Sequence, residues 1–545
     1  MTQYCIALDI GTSGLRGQIL DKDTGETLAT SITSRHPIPG MNVIDHVNFA
    51  MTSGEDVANG LIIGAANELF ASFGLDLSKV RSVAVCGNPF QLSLFQNIEI
   101  RDLAYAGKNM LASLGVVSPP RDGDIIKASD IGLKGMPDAV VIIPPAVTHE
   151  IGADAMAMLM ITDVLDSKEP CLVVDYGTNA EMALVVDGKV FTGSAAAGPA
   201  LEGQQIEKGM LAAPGAISDV DITDKGWKCT VLDGSMKDQE GDTVDPATGD
   251  VVIESPTHGK AVGITGTGVV AAIYCGMETG IIHPPNVDSK DGKIHLQDGV
   301  TISSKDIDEA GKAIGALRAG FLTLLREAGL WVEDVKLAYM SGASGLYVDA
   351  KKALGIGMVV PGAERIIQFG NTSIEMARRL ALGQVDLDSL RVFAKRLRAT
   401  HCMFATAQTF KDIYAIEYSL WCCGMPMSEY NNMLDIYNIP HLPDHVPDPS
   451  VNRVSATDLP ETEGRRILML DDIGTALSGP IDGCTLCKKC VRECPERAIS
   501  IEPMLGGTYG AFGRISSDRC AGTACRRCER ACPVGVLHIT PFTIS

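Results

Sequence analysis

The chain has 545 residues, a formal net charge of −21 and 46% hydrophobic residues, enough for about three or four domains with substantial cores. Such an acidic balance argues against nucleic-acid binding, which needs clustered Lys and Arg. The start, Met1-Thr2-Gln3-Tyr4-Cys5-Ile6-Ala7-Leu8, lacks the basic and long apolar regions of a signal peptide, and there is no run of about 18 apolar residues to cross a membrane. A soluble protein of the reducing cytoplasm is expected.

The first 440 or so residues read as alternating strands and helices with many glycines. The first strand, Tyr4–Ile10, runs into Asp9-Ile10-Gly11-Thr12-Ser13-Gly14. Glycine lets the backbone approach a phosphate there, and the N–H and hydroxyl groups of Gly11, Thr12 and Ser13 can cradle it. A helix over Gly54–Phe73, strands over Ser82–Cys86 and Ala139–Ile143, and a helix over Ala153–Leu165 follow. The strand Cys171–Tyr176 then enters Asp175-Tyr176-Gly177-Thr178-Asn179, which repeats the formula Asp-x-Gly-Thr. Two such loops predict two related lobes closing on one nucleotide, with Asp9 and Asp175 each holding a Mg²⁺-bound water near the phosphates.

Beyond the strand Met182–Val186, the polar stretch from about Lys225 to Lys260 reads as a hairpin insertion. Gly266-Thr267-Gly268-Val269-Val270-Ala271 matches the dinucleotide fingerprint without a full βαβ unit around it. It is therefore read as another small-residue loop of the ATPase cleft, and a Walker A loop is absent. The apolar spacing predicts a helix over Lys305–Ala328. A strand over Leu337–Met340 enters Ser341-Gly342-Ala343-Ser344-Gly345, where Gly342 and Gly345 would pack on the flat face of adenosine. A helix over Asn371–Leu382 follows, and His441–Glu463, rich in proline and acids, reads as a linker.

Eight of the sixteen cysteines fall in two runs near the C-terminus, Cys484-x2-Cys487-x2-Cys490-x3-Cys494-Pro495 and Cys520-x4-Cys525-x2-Cys528-x3-Cys532-Pro533. Three closely spaced thiolates plus one from the other run is the ligand arrangement of a ferredoxin with two [4Fe–4S] clusters. Cys484, Cys487, Cys490 and Cys532 are assigned to one cluster, and Cys520, Cys525, Cys528 and Cys494 to the other. Zinc sites favour two C-x2-C pairs instead. The scattered cysteines, such as Cys5, Cys86 and Cys171, are expected to be small core residues.

The order of the glycine-rich segments resembles that of the two-lobed ATPases that include actin, the heat-shock chaperones and the sugar kinases. In that superfamily the two Asp-Gly-Thr loops are phosphate 1 and phosphate 2, the third segment is the adenosine motif, and the helices Glu150–Met160 and Asn371–Leu382 fit the two connecting helices. The whole chain resembles the reductive activases of corrinoid-dependent methyltransferases, on Ala7–Arg16, Val83–Leu94, Pro144–Ala157, Asp175–Ala183, Gly263–Val269, Tyr339–Gly345, Gln368–Ser373 and Gly522–Cys528. The resemblance implies an α/β two-lobed ATPase with a C-terminal α+β ferredoxin domain. Its divisions would be 1–165 for the first lobe, 166–385 for the second, 386–440 for a helical extension, 441–481 for a linker and 482–545 for the ferredoxin.

It further implies ATP-dependent reduction of inactive Co(II) corrinoid to Co(I) for methyl transfer from methylamines to coenzyme M in methanogenesis. Partners would be methylamine-specific corrinoid proteins and an upstream low-potential electron donor, and relatives with this ATPase module suggest a homodimer. Glu150 and Asp154, at the first connecting helix, are both candidates for a hydrolytic base. Two rival readings are an ATP-dependent electron donor to an acyl-CoA dehydratase or reductase, and a nucleotide-gated scaffold whose clusters only stabilise the fold.

Overall fold

The computed structural model describes residues 2–40, 42–104, 108–177, 179–196, 205–439, 441–443, 446–463, 465–504, 510–540 and 542–544. Two compact units emerge. One comprises residues 1–157, 373–396 and 459–545, and the other 158–372 and 397–458. The chain crosses between them inside the helices Ala153–Ile161 and Thr372–Ala381, the pair the resemblance picks out as connecting helices.

The first unit is built on a seven-stranded sheet in the order Ile467–Leu470, Thr27–Thr33, Leu15–Asp21, Tyr4–Ile10, Val80–Gly87, Val140–Ile143, Asp124–Lys127. Tyr4–Ile10 forms an antiparallel hairpin with Leu15–Asp21 and pairs in parallel with Val80–Gly87, so its apolar residues are buried on both faces. The helix Glu55–Ser72 buries Ala58, Leu61, Ile62, Ala65, Leu69 and Phe70 at three- and four-residue spacing. It lies so close to the sheet that a Cβ on Gly17 would stand 2.3 Å from Leu69 Cδ2. From Ser373 onward the helix Thr372–Ala381 packs in this unit, where Ser82 Oγ donates to the Ala381 carbonyl at 2.8 Å and Arg378 donates to Gln18 Oε1 at 2.8 Å.

A histidine pair is sealed in the same unit. The rings of His36 and His46 stack with centroids 4.1 Å apart, and the Gln91 amide lies 2.8 Å from His46 Nδ1. Burial pushes His36 down to about 3 and holds His46 well below the usual imidazole range.

The ferredoxin fold belongs to this unit too. Its antiparallel sheet runs in the order Ile499–Pro503, Gly510–Ser516, Ala476–Asp482, Thr543–Ile544. Its strand Ala476–Asp482 ends where the expected domain begins. The Gly40 N–H donates to the Cys520 carbonyl at 2.9 Å, and Arg35 pairs with Glu496 at 2.9 Å, so the second cysteine run sits against the segment that follows strand Thr27–Thr33.

The second unit repeats the plan. Its main sheet runs Ser450–Arg453, Arg365–Gln368, Leu337–Ser341, Cys171–Tyr176, Ala180–Val186, Lys189–Ala195, with the same hairpin and the same parallel neighbour to the first strand. A five-stranded sheet between Ala216 and Ile264 contains the polar insertion, which is a meander of Ala216–Thr223, Gly226–Leu232, Asp238–Val244 and Val251–Ile253. The long helix Ser304–Ala328 starts at a capping box between Ser303 and Asp306 and ends at Gly329. Gly311 and Gly315, one turn apart, seat Trp421 and Glu417 of the helix Gln408–Cys423. Glu417 pairs there with buried Arg318 at 3.1 Å.

The stretch expected to be a linker is not one throughout. Ser450–Arg453 adds an edge strand to the second unit's sheet, and Ile467–Leu470 adds one to the first unit's sheet. Both are short edge strands and carry little burial, and Ser450–Arg453 is exposed at every position. Backbone pairing rather than an apolar pattern holds them, which leaves no period-two signal to read. The helices of 386–440 likewise divide, Leu387–Arg398 lying up to Arg396 with the first unit and the rest with the second. No helix among the described residues is long and apolar enough to cross a membrane.

Candidate functional site

In the first unit the sequence Asp9 to Arg16 is a hairpin turn, and the register sets Asp9 directly across from Arg16. Antiparallel partners project to the same face, and Arg16 Nη1 reaches buried Asp9 Oδ2 at 3.2 Å. The turn closes through the Gly11 N–H to the Gly14 carbonyl at 3.0 Å, with Thr12 buried and Ser13 exposed. Asn88 caps the helix Pro89–Gln96 through its Oδ1 and donates from Nδ2 to Thr12 Oγ1 at 3.4 Å. A Cβ on Gly152 would lie 2.9 Å from Asp154 Oδ1 and 3.0 Å from Asn88 Cα, so Asp154 stands beside this turn. Burial, reinforced by the Asp9 charge, pushes the Asp154 carboxyl up to about 6.

In the second unit the equivalent hairpin sets Asp175 across from Glu181, which is itself buried and accepts from Ser194 Oγ at 3.3 Å. The loop closes through the Gly177 N–H to the Asn179 carbonyl at 3.1 Å; Thr178 lies outside the described residues. Ser341 Oγ donates to Asp175 Oδ2 at 3.4 Å. Gly342 has φ +81°, and a Cβ there would stand 2.5 Å from Asp175 Oδ1. Gly345 packs on Tyr176, whose hydroxyl donates to the Met358 carbonyl at 2.9 Å.

A cleft with about 390 Å³ of empty space opens beside these groups, lined among others by Tyr176, Gly177, Gly266, Thr267, Ser344 and Met358. Its walls are largely apolar and include the small residues Gly177, Ala180, Gly266 and Ser344, which suits a purine ring. The Gly266 segment is thus part of this cleft. It opens the helix Gly266–Glu278, capped by Thr265, after a strand of only two residues. That is too little for a dinucleotide fold.

The cysteines gather as two sets. Cys484, Cys487, Cys490 and Cys532 line one cavity of about 340 Å³. Cys520 and Cys528 lie within electrostatic reach of each other and of Cys494, and Cys525 within reach of Cys520. Leu486 N–H points at Cys484 Sγ at 3.5 Å and Ala498 N–H at Cys494 Sγ at 3.3 Å. Burial alone would raise the Cys532 thiol, but the N–H groups of Leu537, Val536, Val534 and Gly535 bring it below its ordinary value. Burial instead pushes Cys520 up to about 11 and Cys528 up to about 12. Four sulfurs around a cavity with N–H donors aimed at them fit an iron–sulfur cube, which needs thiolates and gains from hydrogen bonds to sulfur.

Arg16, Asn88 and Asp154's place beside Asp9 complete the first unit's turn, and Glu181 completes the second's. Arg16 and Glu181 were legible in principle, because seven- and six-residue separations across a tight hairpin place them opposite the two aspartates. Asn88 is the residue before Pro89, a helix-start signal, but its reach to Thr12 is tertiary.

Residues 169–431 match the C-terminal, ASKHA domain of RACo, residues 4–167 the RACo middle region, and residues 483–536 a 4Fe-4S dicluster domain. The chain is 48% identical over 524 residues, 96% of each chain, to the "[Co(II) methylated amine-specific corrinoid protein] reductase" of Methanosarcina barkeri. It is 25% identical over 392 residues to the corrinoid activation enzyme RamQ of Eubacterium limosum, covering 65% of this chain and 60% of that one. Among solved structures it superposes on a reductive activator for corrinoid, iron-sulfur protein with a TM-score of 0.60 at 23% identity. That match covers 76% of this chain and 66% of the other, and so speaks for the fold.

Proposed function

This chain belongs to the family of corrinoid protein reductive activators, and from that premise we propose that it returns inactive Co(II) corrinoid protein to Co(I) at the expense of ATP, serving methylamine-specific corrinoid proteins. It is an iron–sulfur enzyme with a two-lobed ATPase of the actin and sugar-kinase type and a C-terminal dicluster ferredoxin domain. The observation that carries the reading is the 48% identity sustained over 96% of both chains, which spans ATPase and ferredoxin together.

The finer assignments draw on the geometry of each unit and, for Thr178, on the repeated Asp-x-Gly-Thr sequence. Gly11, Thr12 and Ser13 bind phosphate in the first unit, as Gly177, Thr178 and Asn179 do in the second. Gly342 and Gly345 let their turn close on Asp175 and Tyr176, beside the cleft in which adenosine lies. Asp9 and Asp175 organise Mg²⁺ and its waters. Asp9 is partly neutralised by Arg16 whereas Asp175 faces a second acid, Glu181, so the second unit's pair draws a divalent cation more strongly. Asp154, held near neutrality, accepts the proton of the attacking water.

When bound, the two clusters carry single electrons at low potential. Cys484, Cys487, Cys490 and Cys532 hold one, and Cys494, Cys520, Cys525 and Cys528 the other. A gap of roughly 200 mV amounts to about 5 kcal/mol, and micromolar ATP binding carries about 8 kcal/mol. Nucleotide can therefore cover the deficit if most of its binding energy differs between two conformations. The reading extends to a cytoplasmic homodimer fed by a separate electron donor.

The test is anaerobic. Protein, Co(II) methylamine corrinoid protein and a strong reductant are mixed with and without Mg-ATP, and the visible spectrum is followed. Co(I) formed only with ATP, and lost in Asp9→Ala and Cys487→Ser, supports the proposal. Unchanged Co(II) with intact, reducible clusters refutes it.

A further inference from the structure

The chain is strongly acidic, yet between Cys484 and Cys532 nine Lys and Arg stand against five Asp and Glu. The cations are patterned. After Cys487 come Lys488, Lys489 and, two beyond Cys490, Arg492; after Cys525 come Arg526, Arg527 and, two beyond Cys528, Arg530. The same three positions are basic in both runs. Lys488 and Arg526 share a left-handed backbone, φ 55° and 42°, each immediately before a helix of one turn, Lys489–Arg492 and Arg527–Arg530. These two helices pack against each other, and all six cations are exposed.

Of the nearby acids, Glu493 is exposed and directly follows Arg492, but two others are engaged elsewhere. Glu529 is mostly buried, accepts from the Ile539 N–H at 2.9 Å and reaches Arg526 only at 4.0 Å. Glu496 is engaged by Arg35. A structural role for the cations is slight: among the described residues their side chains reach only Glu529, from Arg526, and the Cys525 carbonyl, from Arg530 Nη2 at 2.6 Å. Exposed Cys487 lies at the edge of this basic ridge.

We propose that the ridge formed by Lys488, Lys489, Arg492, Arg526, Arg527 and Arg530 is the docking surface for an acidic, small iron–sulfur electron-carrier protein that reduces this chain. The proposal rests on the assignment of the cysteine runs as cluster ligands. A basic patch on a protein of net charge −21 lets an acidic partner approach here while the rest of the surface repels it, which orients the encounter with the cysteine loops facing the partner. One electron leaves the partner's reduced cluster, which is oxidised, and enters this chain's oxidised cluster, which is reduced; no bond is made or broken. The donor is favoured over the corrinoid protein because the ridge lies wholly on the ferredoxin fold, whereas an acceptor gated by ATP must engage the ATPase.

The probe is a purified acidic two-cluster ferredoxin, reduced and mixed by stopped flow with the reconstituted full-length protein. Reduction by the ferredoxin is expected to slow steeply as salt rises. In the triple variant Lys489→Glu/Arg492→Glu/Arg527→Glu it should be about 10- to 10³-fold slower at low salt. Iron content and reduction by photoreduced deazaflavin, a small molecule, should be unchanged. Co-elution of the ferredoxin with the wild type at low salt, lost in the variant, is the second readout. A variant that accepts electrons from ferredoxin as fast as the wild type overturns the proposal. If that variant instead loses only ATP-dependent Co(I) formation with deazaflavin as reductant, the ridge docks the acceptor and the proposal is likewise overturned. Failure of the activation reading shows separately, as absence of Co(I) in the wild type whichever reductant is used.

Discussion

Gly342→Ala isolates the contribution of one hydrogen atom's worth of space to nucleotide binding. The residue sits at φ +81°, which costs an alanine about 1 kcal/mol. Its methyl would also lie 2.5 Å from Asp175 Oδ1, about 1 Å inside ordinary non-bonded contact. The carboxylate must swing away, because on the other side the methyl meets the Tyr176 carbonyl at 3.2 Å. Gly329→Ala is the matched control, with φ +70° and nothing within 4 Å of the new methyl. Gly329→Ala should lose about 1 kcal/mol, a melting shift of about 2–4 °C for a unit of this size, and Gly342→Ala somewhat more because of the added clash. Only Gly342→Ala should lose nucleotide affinity, by about 10²-fold if the Asp175 oxygen moves on the order of 1 Å. Calorimetric titration with Mg-ATP alongside thermal unfolding separates the two effects. Equal ATP affinity in Gly342→Ala and Gly329→Ala would refute the placement of Asp175 at the phosphates.

Asp154→Asn should bind Mg-ATP normally but hydrolyse it about 10²- to 10⁴-fold more slowly, and wild-type hydrolysis should fall as pH drops through about 6, measured as phosphate release. Cys487→Ser should lose about half the iron, by colorimetric assay, while Cys423→Ser, at an exposed cysteine outside both sets, loses none. The histidine pair gives a pH effect of definite sign. His36 and His46 are neutral in the fold well below the ordinary imidazole value, so the unfolded chain binds more protons as pH falls under about 6.5, and stability is lost in that direction. At pH 5.5 the pair costs about 3 kcal/mol. Asp154, protonated more readily in the fold, works the other way. The melting temperature should therefore fall less between pH 7.5 and 5.5 in His36→Gln/His46→Gln than in the wild type, and an identical fall in both counts against the burial argument.

What was legible in the sequence is what repeats or alternates locally. Cys171–Tyr176 and Tyr4–Ile10 occur as strands with the expected bounds, because a buried parallel strand is a continuous apolar run closed by an acid and a glycine. The grouping of Cys484, Cys487 and Cys490 with distant Cys532 around one cavity followed from the ligand grammar. What escaped was set by partners far away in the chain. Ser450–Arg453 is a strand only because Arg365–Gln368 offers an edge. Asp154 is singled out by its burial and by the nearby Asp9, both of them tertiary. The basic ridge was present as letters, but only the packing of Lys489–Arg492 on Arg527–Arg530 makes two runs of cations one surface.

The first unit is assembled from three separated stretches, and this sets an order on its birth at the ribosome. Its opening strands emerge first, but the edge strand Ile467–Leu470 and the Glu461 carboxylate that accepts from the Thr27 N–H at 3.0 Å come 434 residues later in the latter case. At about 5–20 residues per second that is a wait of roughly 20–90 s. The second unit, begun later, has all its residues by position 458 and can finish before the first. The stretch that completes the first unit is the one that also brings the cysteine runs, and the loop of Cys520 settles directly on Gly40. Iron delivery and closure of the older unit thus coincide in time, so a cell short of iron should accumulate chains whose second unit is folded and whose first is open to proteases.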